Sequence, residues 1–471
     1  MTKTATGARK TGSVQRQVDF LLLGGGLASA TAAETLRSEK PTGSILILSE
    51  EDLAPYHRPA LSKQMLLGTA DASRLLIHPE SFYRDKAIDL QLGTRVVAVD
   101  PAAHTVTTAT SEHIGYGRLL IATGATPRSL IVPGAELAGV HTLRRLVDAV
   151  AVRDVATGAK RAVVLGGSFL GMEIAMSLID LGLDVTIIEL GTALLPHLEA
   201  PRLSTYFERY AASRGASVLL NDSIVAFHGR DHVEEVETAS GRRLPCDLAV
   251  VSIGVAPATG FLQGSGIALE DGRVAVDALL RTSAPDVFAA GDVTTFYDPV
   301  FARRRHIEHW DNAVKQGRLA ARNMLGRRLP YDEISYFFCE VGDLGFNVLG
   351  ATEEAEEWIE RGDLDSRSFA LFYLMGDVPR ALFSLGRPAD ETRLVEGLIR
   401  HRVNVATIKG RLPDPAFALD DIPPQTAVIL QGGGALGAFE CGVVKALEEA
   451  QIFPDIVAGV SIGAFNGAII A

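Results

Sequence analysis

Asp19-Phe-Leu-Leu-Leu-Gly24-Gly-Gly26-Leu-Ala-Ser-Ala-Thr-Ala-Ala-Glu34 decides how this chain folds. Four apolar residues run into a glycine cluster, and an alanine-rich helical pattern follows at once. That order is strand, tight turn, helix. Gly24 lets the backbone turn, and Gly26 leaves room for a pyrophosphate to approach the main chain. The free N–H groups and positive dipole end of the new helix then suit the phosphates. Ser29 stands at the third small position, so the helix can still lie close to the strand. Ser44-Ile-Leu-Ile-Leu-Ser49 reads as the next parallel strand, with Glu50 at its end. Glu50 follows Gly24 by about 26 residues, against roughly 20 for a carboxylate that accepts from ribose hydroxyls. A solvated loop acid is the other reading.

The pattern then recurs. Arg161-Ala-Val-Val-Leu165-Gly166-Gly167-Ser168-Phe-Leu-Gly171-Met-Glu173 is a second strand–turn–helix, and Val185-Thr-Ile-Ile188 is its partner strand, ended by Glu189. Gly171 and Glu189 are about 18 residues apart, the spacing of a ribose-binding acid. Ser168 replaces the middle glycine; its hydroxymethyl sits where backbone would approach phosphate, but it can offer a hydrogen bond. No Arg or Lys follows Glu189 closely. A free carboxylate there favours the ribose diol of NADH and repels a 2′-phosphate. Two dinucleotide folds imply two nucleotides, and an enzyme holding FAD and NADH moves hydride from nicotinamide to flavin. Arg281-Thr-Ser-Ala-Pro-Asp286-Val-Phe-Ala-Ala-Gly291-Asp292 adds a short strand ending in Gly-Asp. Its carboxylate can accept from ribityl hydroxyls, or the dipeptide simply ends the strand in a turn.

The chain has 471 residues, 47% of them hydrophobic, and 46 glycines. That suits an α/β protein of about three domains with tight turns. The net charge of -12 argues against nucleic-acid binding, which needs a basic face. No apolar run approaches the ~18 residues of a membrane span. Residues 1–16 are basic but lack an apolar core, and read as a disordered lead rather than a secretory signal. Cys246, Cys339 and Cys441 are far apart, with no Cys-x-x-Cys pair and no metal-ligand spacing. No metal is expected, the cytoplasm is the default compartment, and no adjacent cysteine pair is present to relay electrons.

Other stretches carry weaker readings. The proline-rich loop Asp52–Lys63 holds two cations, Arg58 and Lys63, placed either to meet a cofactor ring or simply on the surface. Leu90–Val99 and the stretch from His104 alternate like antiparallel strands. Leu119–Ala125 is a buried strand ending in a small-residue turn, followed by Arg128. Arg303, Arg304 and Arg305 read as a solvated turn, or as a guide for an acidic iron–sulfur partner. The acidic run 353–357 reads as the wet face of a helix.

Taken together, Gly24–Ser29, Pro55-Tyr-His-Arg-Pro-Ala-Leu-Ser-Lys63, Ala122-Thr-Gly124, Gly166–Glu173, Ala289-Ala-Gly-Asp292 and Glu308-His-Trp310-Asp-Asn-Ala-Val-Lys-Gln316-Gly resemble the FAD/NADH reductases of the rubredoxin and ferredoxin type, and apoptosis-inducing-factor-like proteins, over residues ~17–410. The resemblance implies that FAD lies on Gly24, Gly26, Leu27, Ala28, Glu50, Arg58, Lys63, Val96, Ala122, Gly124, Arg128, Asp292 and Trp310. It implies that NAD lies on Gly166, Phe169, Leu170, Gly171, Glu189 and Gly254. Lys63 and Glu173 would pair near the reactive edge of the flavin as the catalytic residues. The implied domains are a discontinuous FAD-binding domain (17–142 and 262–329), an NAD-binding domain (143–261), and a small α+β interface domain (330–411) that covers the flavin and can form a homodimer contact. The implied activity takes hydride from NADH and passes electrons singly to a ferredoxin- or rubredoxin-like acceptor. An apoptosis-inducing-factor-like redox sensor stays open as an alternative.

A separate pattern closes the chain. Residues 412–424 are Pro- and Asp-rich and read as a linker. In 425–471 a strand leads into Gly432-Gly433-Gly434, a helix follows, and a second strand enters Gly459-Val-Ser461-Ile-Gly463. Gly-x-Ser-x-Gly at a strand–helix junction is a nucleophile elbow, and the glycine loop can supply oxyanion donors. This stretch resembles the start of patatin-like acyl hydrolases, with Ser461 as nucleophile. The catalytic aspartate of that family has no counterpart here, so a lipid acyl hydrolase is an alternative function that is incomplete in this sequence. Ser461 is expected to be inactive.

Overall fold

The computed structural model describes residues 14–470, apart from 41, 422–425, 451, 453 and 455. Most of the expected lead and the last three linker residues therefore lie outside the described residues. The chain divides into two compact units at Asn347/Val348.

In the first unit, β1 (Arg16–Leu23), α1 (Leu27–Glu39) and β2 (Ile45–Leu48) form the expected strand–turn–helix–strand. β1 and β2 pair in parallel, Phe20 opposite Ile45 through Leu23 opposite Leu48. Leu21, Leu22, Leu46 and Ile47 are fully buried, as in a parallel sheet covered on both faces. Arg16 is not part of a lead: it opens β1 opposite Ile114, and its guanidinium pairs with Asp89. β3 (Ile88–Gln91), β4 (Val96–Asp100), β5 (Thr105–Thr108) and β6 (His113–Ile121) extend the sheet in the order β3-β2-β1-β6-β5-β4. The strand expected over Leu90–Val99 is in fact two. Gln91 ends a parallel edge strand on β2, whereas Val96 begins an antiparallel hairpin with β5. The chain breaks at Gly93, whose φ of +61° suits a turn rather than a strand.

The far edge of β6 is shared. β5 takes its beginning, and Val287–Ala289 takes its end, Ala289 opposite Ile121. A strand distant in sequence thus completes the first sheet and delivers Gly291-Asp292 beside the first glycine turn. A second sheet in the same unit holds five parallel strands in the order Ser217–Leu220, Asp184–Glu189, Arg161–Leu165, Leu248–Val251 and Val140–His141. Its glycine turn repeats the first. Gly24 has φ +107°, and a Cβ on it would fall 2.3 Å from the Ala122 carbonyl oxygen; Gly166 has φ +111°, and a Cβ on it would fall 2.1 Å from that of Ser252. Only glycine fits either position.

Arg303–Arg305 form a strand rather than a solvated turn, paired with Thr294–Asp298. Alternation turns Arg305 inward, where it meets Asp298 at 3.0 Å with both side chains buried, while Arg304 pairs with Glu270. Arg304 and Arg305 thus each have an acidic partner within the chain.

In the second unit, Glu357–Asp363, Ser368–Met375 and Val378–Leu385 form an antiparallel meander, and helix Ala389–Arg400 follows. The acidic run is not a helix: Thr352–Glu354 make a single tight turn, and Glu357 already belongs to the first strand of the meander. Further on, Ala427–Leu430 and Ile456–Gly459 pair in parallel. Helices Gly437–Glu449 and Ile462–Ile470 accompany them. Among the described residues no helix is long and apolar enough to cross a membrane.

Candidate functional site

A cleft of about 1050 Å³ opens over the first glycine turn, at the top of the roughly 300–1,000 Å³ range of drug-sized ligand sites. Of the residues expected to hold FAD, its wall includes Gly24, Gly26, Leu27, Ala28, Glu50, Arg58, Val96, Ala122, Gly124, Asp292 and Trp310. Gly26 is the N-cap of α1; no side chain caps that end and its first turn carries no acid. A Cβ on Gly26 would meet no atom within 4 Å. The helix terminus is therefore open to an anion, the arrangement a pyrophosphate needs. These features fit FAD.

Two of the expected contacts lie elsewhere. Arg128 is exposed and donates from Nε to the Val255 carbonyl oxygen at 3.1 Å, so it does not reach the cleft. Arg144, by contrast, lines the cleft and donates from Nη2 to Asp292 Oδ2 at 2.9 Å. Asp148 holds it there, accepting from the backbone N–H of Arg144 (2.9 Å) and Arg145 (2.8 Å) at the start of a helix. The sequence signal was that Arg-Arg-x-x-Asp start before an apolar helical run. Lys63 is also absent from the wall. It stands behind it, with its Nζ 2.8 Å from Glu173 Oε1, and Glu173 itself lines the cleft.

Around the rim, Arg58 donates to Glu51 Oε1 (2.6 Å), Tyr56 Oη (3.1 Å) and the Arg144 carbonyl oxygen (2.7 Å). Burial pushes the Glu51 carboxyl up, but the Arg58 charge and hydrogen bonds from Tyr56 and Arg58 outweigh it and hold it below the ordinary range. Glu50, by contrast, is exposed and pairs with Arg145 at 3.4 Å. Trp310 donates from Nε1 to His57 Nδ1 at 3.2 Å. His309 is pushed down to about 4 by burial, so it lines the cleft uncharged near neutral pH.

At the second glycine turn, Glu189 accepts from the backbone N–H of Gly167 (2.6 Å) and of Gly191 (2.7 Å). The carboxylate thus stands over the turn, without an arginine or lysine in contact among the described residues. Phe169 and Leu170 open the helix Phe169–Asp180, and Gly171 follows them. Phe169 meets Phe337 edge-on at 4.9 Å. Gly254 has φ +87° and its carbonyl accepts from the Arg128 N–H at 3.0 Å. Leu170 and Glu173 come from this second helix yet line the first cleft.

Residues 18–317 match the pyridine nucleotide-disulphide oxidoreductase family. The chain belongs to that family. It is 37% identical, over 79% of its length and 91% of the relative's, to the 5,5'-dehydrodivanillate O-demethylase ferredoxin reductase subunit of Sphingobium sp. (strain NBRC 103272 / SYK-6). It is 34% identical to the biphenyl dioxygenase system ferredoxin–NAD(+) reductase component of Paraburkholderia xenovorans, over 73% of this chain and 84% of that one. The crystal structure of the ferredoxin reductase for the CYP199A2 system from Rhodopseudomonas palustris superposes with a TM-score of 0.81 at 32% identity, covering 85% of this chain and 99% of that one. Within this oxidoreductase family the present chain has no disulphide: Cys246 and Cys339 are buried, Cys441 is exposed, and all three are free. Among the described residues no cluster of His, Cys, Asp or Glu could hold a metal ion.

Residues 428–471 match the patatin-like phospholipase family. Ser461 sits at φ +57°, between strand Ile456–Gly459 and helix Ile462–Ile470, the strained turn of a nucleophile elbow. A Cβ on Gly432 would fall 2.8 Å from Ser461 Cβ, so the glycine loop does lie against the serine. Among the described residues no base hydrogen-bonds the Ser461 hydroxyl. A serine needs one within about 2.6–3.2 Å. The chain should therefore hydrolyse a p-nitrophenyl ester no faster than its Ser461→Ala variant. Turnover that this substitution abolishes would identify an acid or base elsewhere in the chain as completing the site.

Proposed function

We propose that this protein is an NADH-dependent flavoprotein reductase that binds FAD in the first cleft and passes electrons to a ferredoxin- or rubredoxin-like iron–sulfur acceptor. One observation carries the reading: Glu173, on the helix that starts at the second dinucleotide turn, forms part of the wall of the first dinucleotide cleft. Two nucleotides bound at the two turns would thus meet at the Lys63–Glu173 pair. Bound FAD supplies the hydride acceptor and the conversion from two-electron to one-electron transfer. The chain's own residues do the rest. The open end of α1 and Gly26 receive the pyrophosphate, Asp292 accepts from ribityl hydroxyls, and Arg144 neutralises Asp292. Lys63 and Glu173 hold charge at the meeting point, and Phe169, Leu170 and Gly254 border the nicotinamide.

The domain division expected from the sequence is part of this proposal: an FAD-binding domain of 17–142 and 262–329, for which the strand Val287–Ala289 joining the first sheet is support, an NAD-binding domain of 143–261, to whose sheet Val140–His141 also belong, and an interface domain of 330–411 as the place for a homodimer contact. Three free cysteines support a reducing, cytoplasmic setting.

The purified protein should carry about one FAD per chain and oxidise NADH faster than NADPH, because Glu189 faces the adenosine ribose without a cation beside it. Glu189→Ala should narrow that preference by roughly tenfold, about 1.4 kcal/mol. Equal kcat/KM with both nucleotides in the unmodified protein overturns the assignment.

A further inference from the structure

The Glu173 carboxylate has more partners than Lys63. Its Oε2 accepts from Ser62 Oγ at 2.6 Å, and its Oε1 accepts from Lys63 Nζ at 2.8 Å and from Cys339 Sγ at 3.4 Å. The Glu340 N–H lies 3.5 Å from the same Oε1. Ser62 and Lys63 belong to a single π-helical turn, Leu61–Met65. Such a turn is rare and recurs at functional sites. It is pinned from below by Ser177, one helical turn after Glu173, whose hydroxyl donates to the Ser62 carbonyl oxygen at 2.7 Å. Lys63 and Glu173 are 14% and 11% exposed, so water contributes little to holding the pair.

Cys339 arrives from a third element, strand Tyr336–Val341. Burial, and then the Glu173 charge, push its thiol well above the ordinary cysteine value. The sulfur therefore keeps its proton and acts as a donor. A thiol in a purely apolar gap would need no such partner; this one points its proton at the carboxylate that lines the cleft.

We propose that Cys339 is a positioning residue: its thiol, together with the Ser62 hydroxyl, fixes the Glu173 carboxylate so that Glu173 holds Lys63 in one place where the two nucleotides meet. This rests on the reductase reading above. A carboxylate of this kind has about four lone-pair directions. Besides Lys63, the Cys339 thiol and the Glu340 N–H reach Oε1 and the Ser62 hydroxyl reaches Oε2, which removes the rotation that would let Lys63 drift. Holding a charged group to within about 0.5 Å is what a preorganised site requires. The thiol touches neither nucleotide in this scheme and exchanges no electrons; no partner sulfur stands near it.

The experiment is anaerobic stopped-flow reduction of the bound flavin by NADH, on the FAD-loaded full chain and its variants. Cys339→Ala should keep its FAD and its half-saturating NADH concentration but lower the limiting rate of flavin reduction roughly 3- to 10-fold, a modest loss because the thiol is a weak donor even to a charged acceptor. Cys339→Ser, which restores a donor, should recover most of that loss. In a Lys63→Ala background the same Cys339→Ala change should cost less than about twofold, because nothing remains to be positioned. An unchanged limiting rate in Cys339→Ala, or an equal loss with and without Lys63, overturns the proposal and makes the thiol a packing residue. No flavin reduction by NADH in the unmodified protein is a different result. It removes the reductase reading itself.

Discussion

Lys63→Ala should reduce the bound flavin with NADH about 10²–10³-fold more slowly than the unmodified protein, with FAD content unchanged. The size is that for removing one preorganised charged donor from a water-poor site. The reason lies in the burial of the pair. With Lys63 gone, Glu173 keeps the Ser62 and Cys339 donors but faces the cleft without a counter-charge. Lys63 itself stands behind the cleft wall, so its loss removes no direct lining residue and FAD should stay. Asp292→Ala should act in the opposite way. Asp292 is on the wall, only 17% exposed, and paired with Arg144. Removing it orphans the Arg144 guanidinium and the ribityl hydroxyls together, at roughly 1–3 kcal/mol per group, so the purified variant should be depleted of FAD. Flavin content and stopped-flow reduction separate the two outcomes, and identical behaviour of both variants would show that these roles are wrongly divided.

Arg361→Ala should destabilise the second unit by about 2–5 kcal/mol: Glu391 keeps Arg387, but several buried carbonyl oxygens lose their donor, at roughly 1–3 kcal/mol each. Arg361 is 2% exposed. Its Nη2 meets Glu391 Oε1 at 3.0 Å and the Phe417 carbonyl oxygen at 2.8 Å, and its Nη1 donates to the carbonyl oxygens of Asp414 (2.6 Å) and Leu412 (3.2 Å). One guanidinium thus ties a strand, a helix and the segment that follows the helix. Lysine cannot reproduce this fork of donors, so Arg361→Lys should recover little. Burial pushes Glu391 up, but hydrogen bonds from Arg387 and Arg361 outweigh it and hold its carboxyl below the ordinary range. The sign follows: a lowered folded pKa means the contribution is complete above the unfolded glutamate value and is lost as pH falls through the folded one. The measurement is amide hydrogen exchange in strand Ser368–Met375 at neutral and acidic pH. Protection in Arg361→Ala equal to that of the unmodified chain at neutral pH would sink the prediction.

The two dinucleotide folds were legible from residues alone. A buried parallel strand needs a continuous apolar run, and a turn with φ near +110° accepts only glycine. Asp19–Glu34 and Arg161–Glu173 state both requirements locally. The elbow at Ser461 was legible for the same reason, since strand, glycine loop and tight turn are all short-range. The family followed from how many such motifs occur in one order.

What the tertiary structure decided are the contacts between segments far apart in the chain. Arg128 and Arg144 both follow the Ala122–Gly124 turn, and only the pairing with Asp292, about 150 residues on, shows that Arg144 enters the cleft. Periodicity over Leu90–Val99 could not reveal that one half pairs with β2 and the other with β5, because a strand's alternation does not name its neighbour. The arginines at 303–305 looked solvated because charge in sequence says nothing of a buried Asp298 waiting opposite. Cys339, with no second cysteine near it in sequence, carried no signal at all. Its role is set by a carboxylate 166 residues away, and hydrogen bonds between distant segments exist only once the chain has closed on itself.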